Sequence, residues 1–260
     1  ETYRDAQRLG FPLMAGSSLP VTWRIPAIEV PLGTPLVESV GAGYGHHGYY
    51  DIHTIETAQC MSERRAGGEA GVRSVQALKN DAVWRLLAER ESTRRLCFAA
   101  LNRSQTLKAL PGRTFAEPSI AHLQRVSPFA VAYVFEHLDG FRTTIFHFNG
   151  TGTAFSRDTA ALNDFTYAGL TQSGDGLSTL MFLPMPPTMS TLANFFSPLV
   201  NHIEHMVLTG QPSWPIERNY LTTGMTLFAV DSLYAAGAKL DTPDLGIRYH
   251  PTPGPHFWRG

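Results

Sequence analysis

The sequence is poor in charge, in cysteine and in long apolar runs, and each shortage removes a class of function. Charged residues make up 17% of the chain, below the usual quarter, and they form no long basic run. Lys and Arg number 21 against 22 Asp and Glu, so binding of nucleic acid through phosphate neutralisation has no footing. No apolar stretch approaches the roughly 18 residues that span a bilayer, and no membrane partner is expected. The two cysteines, Cys60 and Cys97, make neither a disulfide framework nor a CxxC site. They read as buried free thiols of a cytosolic-type protein, and a cytoplasmic location is expected. There is no signal-peptide pattern, internal repeat or low-complexity tract.

What is present suits a folded domain of some size. Hydrophobic residues make up 43% of 260, and 23 glycines with 18 prolines predict many turns and long loops. Glu1–Leu9 has a helical pattern that Gly10 ends, and Phe11–Gly16 reads as a short buried strand. A helix, a glycine and a strand without a preceding strand are the last piece of an α/β unit. Further residues are therefore expected before Glu1. After a proline-rich loop from Ser17 to Pro35, Leu36–Val40 alternates as a strand. A helix is predicted from Asp51 to Arg65, stopped by Gly67-Gly68. Further strands are predicted at Gly71–Leu78, Phe129–Glu136, Arg142–Phe148, Phe165–Leu170 and Ser178–Leu183. The third and fourth of these six strands form a hairpin across Asp139-Gly140, a strong turn signal. Helices are predicted at Asp81–Glu91, from Ser92 or Thr93 to Leu101, at Leu192–Thr209 and at Asn219–Ala236. Asn102–Arg125 reads as mixed loop, and Asp244–Tyr249 as a last edge strand. The expected class is α+β, a large, open, mostly antiparallel sheet with helices on one face.

Chemistry concentrates in Gly41–Arg65, GAGYGHHGYYDIHTIETAQCMSERR. This glycine-broken run joins a strand end to a helix start and places histidines, tyrosines and acids where a chain lines a cleft. Within it, Tyr49-Tyr50-Asp51-Ile52-His53-Thr54-Ile55-Glu56 is similar to the histidine-bearing helix start of the glucose–fructose oxidoreductase/inositol dehydrogenase family (Gfo/Idh/MocA-like proteins), where an acid follows the histidine by three residues. The hairpin at Asp139-Gly140 resembles that family's glycine-turn strand pair. Glu217–Thr242, with Thr223-Gly224, Asp231-Ser232 and Gly237, resembles its terminal helix. The resemblance covers nearly the whole chain. It implies that residues 1–22 are the tail of a dinucleotide-binding (Rossmann-type) domain, and that residues 23–260 are a substrate-binding and oligomerisation domain.

The resemblance further implies an oxidoreductase acting on a sugar or polyol. NAD or NADP would be bound by an N-terminal half that these residues do not supply, and a homo-oligomer would form through the open face of the sheet. The family uses a lysine, an aspartate and a histidine beside the nicotinamide, with the histidine, here His53, taking the hydroxyl proton. An imidazole suits that task because it titrates near neutral pH. The family's aspartate position, four residues before the histidine, is Tyr49 here. The nearest acid is Asp51, which cannot share a helical face with His53. A non-catalytic carbohydrate-binding or scaffold subunit is therefore an open alternative. So is a lyase or hydrolase with His53 as base, since fold does not fix reaction.

The candidate catalytic residues are His53, Glu56 and Asp51. Glu56 stands to orient His53 from one turn on or to bind helix N-terminal N–H groups, and Asp51 reads most simply as the N-cap. Candidate substrate contacts are Ser17, Ser18, Trp23 and Arg24 at the carboxyl end of the first strand, where open α/β sheets bind ligands, with His46, His47 and Tyr49 in the glycine-rich run. His46, His47, His53 and Asp51 match no strong metal motif, and no metal is assigned.

Overall fold

The computed structural model describes residues 2–45, 48–148, 160–183, 194–254 and 256–258. Eight strands form one sheet: β1 (Trp23–Ile25), β2 (Leu36–Gly43), β3 (Val72–Lys79), β4 (Ala130–His137), β5 (Arg142–Phe148), β6 (Phe165–Thr171), β7 (Gly176–Phe182) and β8 (Leu240–Asp241). Their order across the sheet is β1-β7-β6-β2-β5-β4-β3-β8. Every pairing is antiparallel except that of β2 with β5. The α+β class with a large open, mostly antiparallel sheet is what the structure shows. The β4–β5 hairpin forms as the Asp-Gly signal predicts: Glu136 faces Arg142 across the turn, and Gly140 takes a φ of +87°.

Seven helices lie among the described residues: α1 (Thr2–Leu9), α2 (Asp51–Ser62), α3 (Asp81–Glu89), α4 (Glu91–Leu101), α5 (Ile120–Val126), α6 (Ser197–Thr209) and α7 (Ile216–Tyr234). They take both faces of the sheet. Ile55, Met61, Leu221 and Met225 of α2 and α7 pack on Val75, Tyr133, Phe135, Ile145 and Tyr167. On the opposite face, Val83, Leu87, Leu96 and Cys97 of α3 and α4 pack on Val40, Ala132, Phe146 and Ala168. The alternating residues of each strand thus feed two cores. The second set of helices covers the face through which an oligomer was expected to form.

Several local expectations fail for identifiable reasons. Phe11–Gly16 is not a strand; no neighbouring strand offers it a ladder, and Phe11 is exposed. Asp244–Tyr249 is not an edge strand. A single turn of 3-10 helix, Pro243–Leu245, occupies its start, and Tyr249 makes only an isolated bridge with Glu69. The edge is instead taken by the two residues of β8. Short elements in proline-rich or mixed sequence, β1 and α5, escaped prediction because pairing and capping decide them, not periodicity. Ser119 caps α5 by accepting from the His122 N–H at 3.1 Å. Residues 192 and 193 of the predicted Leu192–Thr209 helix lie outside the described residues. Of its predicted apolar stripe, Phe196, Ile203 and Val207 are exposed, while Phe195, Leu199 and Met206 are half-buried.

Helix α2 is central. From Thr54 to Ser62 every residue is buried, although the stretch carries Glu56, Gln59 and three hydroxyls. Burial of such groups requires partners, and the helix's second half finds them in one network. Gln59 donates to Glu69 and to the Tyr249 hydroxyl, each at 2.7 Å. Tyr249 donates to Glu63 at 2.8 Å, and Arg218 of α7 grips the same carboxylate through Nε at 2.9 Å. Arg65 holds Glu69 at 2.9 Å and Asp139 at 2.8 Å. His137 meets Glu69 at 3.0 Å through Nδ1 and Thr143 at 3.1 Å through Nε2. Burial opposes ionisation of Glu69, but His137 and Arg65 outweigh it and hold the carboxyl well below the usual carboxylate range.

Candidate functional site

The parallel pair β2–β5 sends the end of β2 into Tyr44–Tyr50 and then into α2. Glycine shapes the described residues on either side of this connection. Gly45 and Gly48 take φ of +106° and +86°, the left-handed region that suits glycine. Gly43 needs its hydrogen for space alone: a Cβ there would lie 1.8 Å from the Thr54 Oγ1. The first turn of α2 therefore rests directly on the sheet, and His53 stands at its start.

His53 is about one-third exposed, its side chain at 33%. Its Nδ1 is enclosed and lacks a hydrogen-bond partner, facing the Glu56 Oε2 at 3.6 Å. The accessible part of the ring is thus the Nε2 side. Tyr50 and Phe165 flank the ring with centroids at 5.8 Å and 6.1 Å, and Tyr44 packs on both. Glu56 is 2% exposed. It receives the Ser17 N–H on Oε1 at 3.1 Å and the Ser17 hydroxyl on Oε2 at 2.5 Å. So Glu56 does not bind the N-terminal N–H groups of α2; it joins His53 to the segment before Ser18.

Ser17, Glu56 and His53 are therefore brought together. The other sequence candidates take different places. Asp51 is not the N-cap, since Tyr50 holds that position. Its carboxylate is 1% exposed and accepts from the Gly48 N–H and the Tyr133 hydroxyl, both at 2.8 Å. His147 stands 3.6 Å from its other oxygen. Asp51 thus ties the glycine turn to the sheet from below. Burial and the Asp51 charge together raise the Tyr133 hydroxyl above its usual range, which keeps it a donor. Ser18 is buried at the start of a 3-10 turn and caps nothing with its side chain. Arg24 is 4% exposed. It binds Glu29, the Ile28 and Pro20 carbonyls and the Phe257 ring, so it serves the fold and not a ligand. Trp23 sits on the edge strand, packed on Trp258 with centroids 6.0 Å apart. It lies three strands from β2, about 14 Å away at normal strand spacing. Tyr49 is 75% exposed on the turn. His46 and His47 lie outside the described residues.

Sequence reasoning passed over the support beneath this site. Trp214, 1% exposed, donates from its indole N–H to the Ala15 carbonyl at 2.8 Å and so pins the residues before Ser17. Behind it His202 meets the Ser213 hydroxyl and the His256 carbonyl, each at 2.8 Å. Burial, then the charges of Arg218, His202, Arg64 and Arg24, push the His256 imidazole down to about 4. An indole before a proline at a helix entrance, as in Trp214-Pro215, was the signal available. The cysteines are buried as expected, and burial pushes the Cys60 thiol up to about 12, which leaves it inert. A hollow of about 1080 Å³ lies elsewhere, under Leu110–Arg125. Its one histidine, His122, is committed through Nε2 to the Lys108 carbonyl.

Among the described residues no group of three or more metal-ligating side chains gathers, and no helix is long and apolar enough to cross a membrane. No protein-family model matches the sequence, and no curated protein does. Two solved structures are similar in shape. GenD2 from gentamicin A biosynthesis, in complex with NAD, is 12% identical with a TM-score of 0.43, over 81% of this chain and 56% of that one. The aldose-aldose oxidoreductase from Caulobacter crescentus, complexed with glycerol, is 13% identical with a TM-score of 0.37, over 92% and 67%. The chain thus spans little more than half the length of GenD2.

Proposed function

We propose that this chain is the substrate-binding part of a sugar- or polyol-oxidising enzyme, and that His53 takes the proton from the substrate hydroxyl. The observation that carries the reading is the setting of His53. Its ring stands at a helix start, Nδ1 turned to a buried carboxylate and Nε2 turned outward. A proton on Nδ1 facing Glu56 leaves a lone pair on Nε2, the atom a substrate hydroxyl would reach. Half-buried Tyr50 beside the ring offers an aromatic surface to the apolar face of a sugar, backed by the buried Tyr44 and Phe165. The ordered sequence resemblance supports the choice of a sugar or polyol.

The nicotinamide cofactor implied by this reading does not fit the residues described. The glycine-rich sequence ahead of α2 gives its Gly48 N–H to the buried Asp51 carboxylate at 2.8 Å, an acid where a pyrophosphate would need donors. Ser17 has both donors committed to Glu56, and Arg24 is consumed inside the fold. The hydride acceptor belongs to a dinucleotide-binding unit outside these residues, and only the proton step is assigned to this chain. The same base serves a lyase, which needs no hydride acceptor, so the assay must read product as well as cofactor.

The test uses the full-length gene product with NAD or NADP and a panel of aldoses and polyols. His53→Ala is expected to lower kcat/KM at least about 100-fold, the scale of general-base loss, with the circular dichroism spectrum and Tm of the parent. Retained activity in the variant would overturn the assignment. Sugar binding without turnover would favour a binding subunit. Product formed without cofactor reduction would favour a lyase or hydrolase.

A further inference from the structure

We propose that Ser17 is a positioning residue: it shares the Glu56 carboxylate with His53 and thereby sets how strongly Glu56 holds the His53 ring. The effect on catalysis rests on reading His53 as the base; the effect on the ring does not. The segment that carries Ser17 is built to deliver it. Gly16 takes a φ of +136°, a conformation other residues rarely adopt, and a Cβ there would stand 3.5 Å from the Glu56 Oε1 and 3.6 Å from the Trp214 Nε1. Trp214 fixes the preceding carbonyl at 2.8 Å. Both Ser17 donors then reach one carboxylate, at 3.1 Å and 2.5 Å.

A carboxylate offers about four acceptor sites, and burial makes each donor count. Ser17 supplies two donors to Glu56. The enclosed Nδ1 of His53 is the next group in reach, at 3.6 Å from the very oxygen that the Ser17 hydroxyl occupies. A contact of that length is not a hydrogen bond. It becomes one if Oε2 moves toward the ring, and the short Ser17 bond opposes that move. The placement of residues 15–17 therefore reaches His53 through a single shared oxygen. A ring held firmly through Nδ1–H presents Nε2 as acceptor; a ring held loosely divides its proton between the two nitrogens.

The test is a two-bond nitrogen–proton correlation spectrum of the histidine rings of the full-length protein, with the His53 signals assigned by their loss in His53→Asn. Ser17→Ala is expected to raise the ratio of the Nδ1–H to the Nε2–H tautomer of His53 by a factor of about three to ten, the worth of one net hydrogen bond. Glu56→Gln is expected to lower it, and Ser17→Thr, which keeps the hydroxyl, to preserve the parent ratio. If Ser17→Ala folds poorly, Ser17→Cys, a weaker donor, reads in the same direction. A ratio unchanged in Ser17→Ala, or moved alike by Ser17→Ala and Glu56→Gln, would overturn the proposal. Neither result depends on turnover, so failure here is distinct from failure of the base assignment.

Discussion

Helix α2 approaches the sheet closely at Gly43, and replacement of this glycine by alanine gives a sharp test of how the site is built. The added methyl would lie 1.8 Å from the Thr54 Oγ1 and 2.8 Å from both Cβ and Cγ2. Backbone strain is not the issue, because Gly43 has no positive φ; only space is. Alanine gains about 0.5–1 kcal/mol over glycine within a strand. Overpacking of a tight core costs about 1–3 kcal/mol, and this overlap belongs at the upper end. The net loss is about 2 kcal/mol, which lowers a urea midpoint by roughly 1 M at a slope of about 2 kcal/mol/M. Thr54→Ala supplies the control. It removes Oγ1 and Cγ2 at a cost of about 0.8 kcal/mol for the methyl, offset in part because the buried Oγ1 has no partner. Urea unfolding of the parent, both single variants and the double variant completes a cycle. The double variant is expected to be more stable than additivity predicts by at least about 1 kcal/mol. Additive losses, or a Gly43→Ala protein as stable as the parent, would refute the idea that α2 rests on β2 through this glycine.

Acid should weaken the fold in two stages. His256 is held neutral down to about 4 while an unfolded histidine takes its proton near pH 6.5, so the unfolded chain binds more protons between these values and stability falls as pH drops through that window. Glu69, held well below its usual range, adds a further loss below about pH 4.5. Denaturation at pH 7, 5.5 and 4 checks this, and His256→Gln should flatten the first stage only. Arg218→Met strands the buried Glu63 carboxylate and should cost about 3–5 kcal/mol, whereas Glu63→Met with Arg218→Met should cost less than Arg218→Met alone; thermal unfolding of both variants decides it.

The sequence made the regular elements legible where local chemistry dictates them. The β4–β5 hairpin was readable because Asp139-Gly140 and its flanking aromatics act over a few residues. Helix α2 was readable from its glycine stops, although its pattern is not amphipathic. The parallel pairing of β2 with β5 was not readable, since nothing near Leu36 announces a partner near Arg142. Helices on both faces were likewise invisible, because strands such as β4 are apolar at nearly every position and do not say which side meets solvent. At the candidate site, the resemblance singled out His53 with Glu56 three residues on, and the structure puts their side chains 3.6 Å apart. Ser17 was named as a candidate substrate contact, but its hydrogen-bond partner is Glu56, 39 residues away. Asp51 and Arg24 were singled out for their charge, and both spend it inside the fold. Trp214 and Tyr133 were missed because aromatic side chains read as core, and their polar tips carry the contact.

Strand β2 has a consequence for how the chain finds its fold. It lies between β5 and β6, which belong to two hairpins that close locally, and it precedes both in the chain. Bringing Glu38 to Arg142 closes a loop of 104 residues. Loop-closure entropy makes that about 3 kcal/mol harder than closing the five-residue hairpin turn. The hairpins are therefore the cheap events and the docking of β2 the dear one. Until it docks, each hairpin keeps an unpaired edge and neither core has its central strand. The residue stretch that leads straight into His53 is thus the one that joins two halves into a single cooperative unit.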